Sequence, residues 1–425
     1  MIRTIGVWRR AALAAMIVTF AGLSAQQLTA SVVAVGTCVP NVVQFTTIQA
    51  AVNSAPPGST IKICPANYPE QVAINKNLTL IGVNSGTADN PALVIPSGGF
   101  VANTASLTSG HPIAAQILVQ SPATVVNIST LTVDGSNSNL NSGCDDTRLI
   151  GIYYQNASGT VNFAAVRNQA QNAANFGCQT SAGLGIYVQS ASPSSSTVKI
   201  QNSTVRGYQK NGITGNEVGT NVTIIGNSVV GAGPTTTAQN GIQVGYGATG
   251  KVQNNTVADD DFNGNPALGT GSGILIYDSG NVTISGNSVT NAQNGIPIVT
   301  DGAFPADTNV VSNNRVSDTH LGDGIDLCSN NNMVSGNIVF SSGQAGIHLD
   351  SGCGSSGNNN IVSKNTVNEA CAGILLGSGT GNTFPVANIV ANVANTTLAG
   401  DVCTPVLLMV RRADSQGHSS RPARP

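Results

Sequence analysis

The chain has 425 residues, with 17 Lys+Arg against 19 Asp+Glu, only 8% charged and 4% aromatic side chains, and 49 Gly. So few cations leave no basic stripe of the kind nucleic-acid binding requires. The composition suits a narrow core of Val, Ile, Leu and Ala inside polar turns, in a chain that grows by stacking rather than by dividing into globular domains.

Residues 1–25 read as an export signal. Arg3, Arg9 and Arg10 precede an apolar run from Ala11 to Leu23, and Leu23-Ser24-Ala25 offers a small-residue cleavage pattern. The run is short for a membrane span, and no later segment approaches the ~20 apolar residues a transmembrane helix needs. The protein is therefore expected to be secreted or periplasmic, with no transmembrane segment. An N-terminal extension, 26–45, follows. From Thr46 to Ala55 the apolar residues Ile48, Ala51, Val52 and Ala55 have helical spacing, with Pro56-Pro57-Gly58 as the stop. This predicts a helical cap over the open end of what comes next.

The body, 46–403, is periodic. Ser203, Asn227, Asn255, Asn287, Asn314, Asn337 and Asn365 each follow a β-branched residue by three positions, and Val205, Val229, Val257, Val289, Val316, Val339 and Val367 each lie two further on. A Gly-Ile marker at 151, 185, 212, 241, 273, 295, 324, 346 and 373 keeps step; from 185 its intervals of 27, 29, 32, 22, 29, 22 and 27 residues are those of solenoid coils. Between the markers run short β-branched segments of period two separated by Gly, Asn and Ser, which predicts about three strands per coil and about ten coils. Stacked coils bring equivalent backbone within about 4.8 Å, so an inward Asn can bond its counterparts above and below. The Asn column then acts as a satisfied buried ladder that pins the register.

The eight Cys fall into consecutive pairs, 38/64, 144/178, 328/353 and 371/403, separated by 26, 34, 25 and 32 residues, about one coil each. Stacking at one phase would put paired Cα atoms in disulfide range, and no Cys-x-x-Cys or Cys/His cluster of zinc spacing occurs. No metal or cofactor is expected. Beyond Thr404 the pattern is lost. Val406–Val410 is expected to cover the last coil, and the rest of 404–425, with Arg411, Arg412, Arg421 and Arg424, to be a disordered tail.

These repeats resemble the right-handed parallel β-helix shared by pectate lyases, polygalacturonases, pectin esterases and repeat proteins of unassigned role, over roughly 46–400. The resemblance implies an all-β fold in which the Asn ladder occupies the tight turn between the second and third sheets. The Gly-Ile strand is then the first sheet, whose outer face forms the substrate groove in the family's enzymes. The opening from Thr46 to Gly82, with Pro65-Ala66-Asn67-Tyr68-Pro69-Glu70, is similar to that of pectin esterases, but the later esterase motifs are missing.

Along each Gly-Ile-x-Leu-x strand the two x positions face the groove. The first column reads Tyr153, Tyr187, Thr214, Gln243, Leu275, Pro297, Asp326, His348, Leu375; the second includes Gln189, Gly245, Tyr277, Cys328 and Asp350. Asp326 and His348 thus become neighbours, with Asp350 beside His348 and Asp323 just before the Asp326 strand. Diagonal neighbours about 7 to 8 Å apart put Asp326 and Asp350 in the range of an inverting glycosidase pair, with His348 able to hold or shuttle a proton. These four residues are the candidate catalytic set. Tyr153, Tyr187, Tyr246 and Tyr277, with Gln243, are the candidate substrate binders.

Segments 229–241 and 257–273 are longer than their equivalents and are expected to wall the groove; the second carries Asp259-Asp260-Asp261, either a Ca²⁺ site or a solvated turn. Asp323-Gly324-Ile325-Asp326 is similar to the first catalytic motif of polygalacturonases, but Leu321-Gly322 stand where that family has Asn-Thr, Ala345-Gly346 where it has Asp-Asp, and its Gly-His-Gly is missing near Ala370–Gly373. The scarcity of Lys and Arg on the first-sheet strands argues against a polyuronate lyase. The expectation is a secreted protein that binds or acts on an uncharged or weakly charged polysaccharide; the alternative is a non-catalytic structural or surface repeat protein. Nothing in the sequence specifies an oligomeric state.

Overall fold

The computed structural model describes residues 29–83, 93–94, 99–136, 140, 147–171, 179, 183–264, 269–400 and 403. The export signal expected at 1–25, the expected Cys144–Cys178 pair and the tail expected at 404–425 lie outside them. Apart from one short helix and one antiparallel strand pair, Thr104–Ala105 with Pro112–Gln120, the described chain is a solenoid of parallel strands. The second sheet contains thirteen of them among the described residues: eleven stacked in chain order from Ser59–Ile63 to Ile361–Ser363, and Val32–Val35 and Val43–Phe45 added at its N-terminal edge. The first and third sheets are separate in most coils but merge at Ile338–Leu349 and Thr366–Leu376, where one strand runs from the third face into the first without a loop.

The predicted columns meet residue for residue. Ile128, Val161, Ile200, Ile224, Val252, Ile284, Val311, Val334 and Val362 pair in succession through the second sheet, all fully buried. Val205, Val229, Val257, Val289, Val316, Val339 and Val367 do so in the third. The two sequence markers keep step because they touch. A Cβ added to Gly273 would lie 2.2 Å from Val289 Cγ1, and one added to Gly346 2.2 Å from Val367 Cγ1. Only glycine lets the first strand approach the third-sheet valine this closely.

The Asn ladder is continuous. From Asn227 to Asn365 each rung's Nδ2 donates to a backbone carbonyl one coil earlier and to the Oδ1 of the next rung: Asn287, for example, to Val252 O at 2.9 Å and Asn314 Oδ1 at 2.9 Å. That Oδ1 also accepts the backbone N–H of the rung before it, as Asn255 N does to Asn287 at 3.0 Å. The column runs from Ser203 through Asn365 to Asn388. The turn that holds it always spans two residues, the first in the left-handed region wherever Asn202, Gly226, Asn254, Gly286, Asn313, Gly336 or Lys364 occupies it. Gly and Asn tolerate that conformation best. A second ladder, unforeseen in the sequence, stands at the entry to the second sheet: the backbone N–H groups of Asn309, Asn332 and Asn360 donate to the Oδ1 of Asn332, Asn360 and Asn382, at 2.8, 2.8 and 2.7 Å.

The helix forms at Ile48–Ser54, N-capped by Thr47, whose Oγ1 accepts from Ala50 N at 3.1 Å. Ile48, Ala51 and Val52 join the main core, and the helix packs against Val32–Val35, Val43–Phe45, Ser59–Ile63 and Val72–Ile74. Three disulfides join the expected partners: Cys38–Cys64, Cys328–Cys353 and Cys371–Cys403, with Cα separations of 5.7, 6.0 and 5.9 Å. No helix among the described residues is long and apolar enough to cross a membrane.

Candidate active-site groove

The outer face of the first sheet carries the side chains singled out above, in the expected register: Tyr153, Tyr187, Thr214, Gln243 and Leu275 pair successively, as do Pro297, Asp326 and His348. The four candidate catalytic residues come together. His348 is 3% exposed and its Nδ1 faces Asp323 Oδ2 at 3.0 Å and Asp326 Oδ1 at 4.0 Å; its Nε2 faces Asp350 Oδ1 at 3.9 Å. Asp323 is held from two sides, its N–H donating to Asn294 Oδ1 at 3.2 Å and its Oδ1 accepting from Ala345 N at 2.8 Å. The carboxylates of Asp326 and Asp350 are 17% and 20% exposed, so they reach the groove while the imidazole lies beneath them.

Burial works against a charged imidazole, but the hydrogen bond and charge of Asp323 with the charges of Asp326 and Asp350 outweigh it, raising His348 to about 9. Burial first, then the neighbouring Asp323 and Asp350 charges, push the Asp326 carboxyl well above the usual carboxylate range, with His348 pulling the other way. Asp326 Oδ1 and His348 Nε2 are buried without a hydrogen-bond partner. A buried polar atom in that state is explained by strain, by a catalytic role, or by a water or ion that pairs with it. The donors of Asp323, Asp326 and His348 lie within 4.8 Å of one another. Cys328, Asp350 and Cys353 also cluster, but their two sulfurs are consumed in a disulfide.

The candidate substrate binders divide. Tyr153 is fully buried, and Tyr187 stacks on it with ring centroids 5.1 Å apart and planes 8° from parallel. The reason is a hairpin the sequence did not reveal, Thr104–Ala105 against Pro112–Gln120. It lies over them: Gln155 Nε2 donates to Ala105 O at 2.7 Å, and Leu107 N donates to Gln189 Oε1 at 3.1 Å. Tyr153 therefore has no face open to a ligand. Tyr187 lines a pocket at the edge of the hairpin together with Gln243 and the 40% exposed Tyr246. Tyr246 meets Tyr277 edge-on at 5.3 Å, and the Tyr277 hydroxyl donates to Asp301 Oδ2 at 2.8 Å. Arg148, Lys210 and Glu217 line the same pocket and stand outside both x columns.

The Asp259–Asp261 run is neither a convergent cation site nor a solvated turn. Asp260 is wholly buried and accepts from the Tyr208 hydroxyl; burial and the charge of Asp259 push its carboxyl well up. Asp261 Oδ2 faces His320 Nδ1 at 2.7 Å, and Asp259 accepts from the Asn291 amide. The two long segments meet at a bridge between Thr235 and Phe262.

A profile of the family described as periplasmic copper-binding protein (NosD) matches residues 226–401, a stretch that includes the Asp/His cluster but not Arg148, Tyr187 or Lys210. No curated protein matches the chain in sequence. Among solved structures, the A-module of mannuronan C-5 epimerase AlgE4 from Azotobacter vinelandii superposes with a TM-score of 0.57 at 13% identity, covering 83% of this chain and 94% of that one. The GH136 lacto-N-biosidase from Eubacterium ramulus gives 0.56 at 10% identity, over 85% and 67%. The chain is a right-handed parallel β-helix repeat protein. At these identities the likeness is one of fold, and chemistry rests on the residues.

Proposed function

We propose that the β-helix groove binds a polysaccharide and cleaves a glycosidic bond, with Asp326 and Asp350 handling the protons. The observation that carries this reading is the placement of the two groove carboxyls on opposite nitrogens of one buried imidazole, 4.0 and 3.9 Å away. Asp326, pushed up by burial, keeps its proton and donates it to the departing glycosidic oxygen. Asp350 accepts a proton from the attacking water, as the second carboxylate of an inverting pair does. His348, charged and tied to Asp323, offsets the negative charge that builds up as Asp326 ionises.

The copper in the matched family's name is not carried over. One imidazole with two carboxylates leans to harder cations than copper, and proton transfer needs those oxygens free. Three disulfides together with the leader at 1–25 support placement in the periplasm or outside the cell.

The test is a screen of the mature protein against plant and microbial polysaccharides, followed by Asp326→Asn and Asp350→Asn. Each should lower turnover by about 10²- to 10⁴-fold while leaving binding in place, and NMR of the released sugar should show inversion. Full activity in either variant sinks the assignment. A broad panel that is neither bound nor cleaved makes the groove plain scaffold.

A further inference from the structure

The outward side chains of the first sheet pass from covered to reachable part-way along it. Gln155, Gln189 and Asn216, paired on successive strands, are buried, whereas Tyr277, Val299 and the Asp350 carboxylate further on are partly exposed. The cover is the tip of the hairpin, which closes on itself: Ser106 N donates to His111 O at 2.9 Å and Gly110 N to Ser106 O at 3.1 Å. Side chains from three successive coils hold it down. Gln155 Nε2 donates to Ala105 O at 2.7 Å, Gln189 Nε2 to Thr108 Oγ1 at 3.1 Å, and Thr108 Oγ1 in turn to Glu217 Oε1 at 3.0 Å. A polymer lying along the sheet toward its N-terminal end therefore meets a wall at Thr108.

In front of that wall lies a pocket of about 500 Å³, the size of an ordinary small-molecule site. Thr108 and Glu217 line it on the hairpin side, Tyr187 and Tyr246 supply aromatic walls, and amides from two adjacent strands supply polar groups. The amides fix one another: Asn211 Nδ2 donates to Gln243 Oε1 at 2.9 Å, and Gln243 Nε2 to Asn216 Oδ1 at 3.1 Å. Amide donors and acceptors held beside aromatic rings match the hydroxyls and the apolar face of a sugar ring. The place has room for the end of a chain and no passage for its continuation.

We propose that this pocket seats the terminal unit of a glycan chain, so that the groove works from chain ends and releases short fragments of one length. This rests on the reading of the groove as a glycosidase site and adds where on the chain it acts. From Gln243 to Asp326 is three strand steps, roughly 14 Å at about 4.8 Å each. A sugar unit advances an extended chain by about one such step. With its end held at Gln243, a chain thus presents to Asp326 the bond that follows roughly its third unit. Water adds across that bond, its hydroxyl going to one fragment and a proton to the departing oxygen of the other.

The experiment is calorimetric titration of the full chain with short and long size fractions of neutral and acidic polysaccharides, joined to sizing of the earliest products. One protein should bind per chain in short and long fractions alike, and a single product of about three units should appear from the start. Tyr246→Asn, a residue that tolerates the left-handed backbone there, should weaken binding about tenfold. Stoichiometry that rises with chain length, a ladder of early products, unchanged affinity in Tyr246→Asn, or no binding of any fraction would each overturn the assignment. A ladder of products that Asp326→Asn abolishes would leave the proposed chemistry standing without end recognition. One protein per chain, with turnover undiminished in Asp326→Asn, would do the reverse.

Discussion

His348 Nδ1 lies 3.0 Å from Oδ2 of Asp323, a residue 25 positions earlier and one coil away. The contact exists because the Gly-Ile register puts successive coils in phase, so a turn residue of one strand meets the outward residue of the next. It makes protonation of His348 part of the folding equilibrium. The folded value of about 9 lies above the ordinary 6.5, so the stabilisation is complete below about pH 6.5 and is lost as pH rises through 9. At about 1.4 kcal/mol per pKa unit it amounts to roughly 3 kcal/mol. Denaturant midpoints should fall across that window in the wild type, and His348→Gln should remove the imidazole's share of the fall while leaving that of the raised Asp326 carboxyl; a level wild-type profile would show that the imidazole is not held in its charged form.

The Cys328–Cys353 disulfide brackets the proposed chemistry. Cys328 follows Asp326 by two residues on the same strand, and Asp350 Oδ1 accepts from Gly352 N at 2.6 Å in the loop leading to Cys353. Replacing both cysteines by serine should lower kcat about tenfold with little change in KM, because a misplaced proton donor or acceptor costs rate more than ground-state binding. Unchanged kcat would mean that the loop holds Asp350 without the crosslink.

The ladder predicts a stability cost that depends on position. Asn287→Leu removes the acceptor for Asn255 and the donor to Val252 O and Asn314. Each buried group left unpaired costs about 1–3 kcal/mol. Asn221→Ala, at an exposed strand position, should change stability by about 0.5 kcal/mol or less. Chemical denaturation of the two variants side by side decides whether the column is structural.

Gly273→Ala should destabilise by about 1–3 kcal/mol through overpacking against Val289. In Gly273→Ala/Val289→Ala the new methyl would meet the space vacated by the valine, so the double variant should lose less than the sum of the two single losses. Additive losses would deny the contact.

The fold was legible because its two markers are a touching pair, Gly of the first strand and Val of the third, repeated coil after coil. The second ladder was not, since Asn309, Asn332, Asn360 and Asn382 keep the same step but lie among other Asn, in runs such as Asn358-Asn359-Asn360. Side-chain alternation gave the neighbours of Asp326 and His348 correctly, but it could not say what covers them. The hairpin that buries Tyr153 comes from an earlier, irregular segment, and Asp260 is buried by its bond to Tyr208, 52 residues back in the chain. Arg148 and Lys210 escaped notice because pocket walls are built from strand ends and approaches, where no period operates.

From Val125–Ser129 onward the turn between the second and third strands keeps the same two-residue length, whereas the path from the third strand to the first ranges from no loop at all to segments such as 259–271. Insertions and deletions are thus channelled to the rim of the groove. In a lineage built this way, specificity can drift by exchanging rim segments while the coil count and the ladder are inherited intact. A designer grafting a foreign loop should place it after the third strand, where it will meet the ligand and leave the folding register undisturbed.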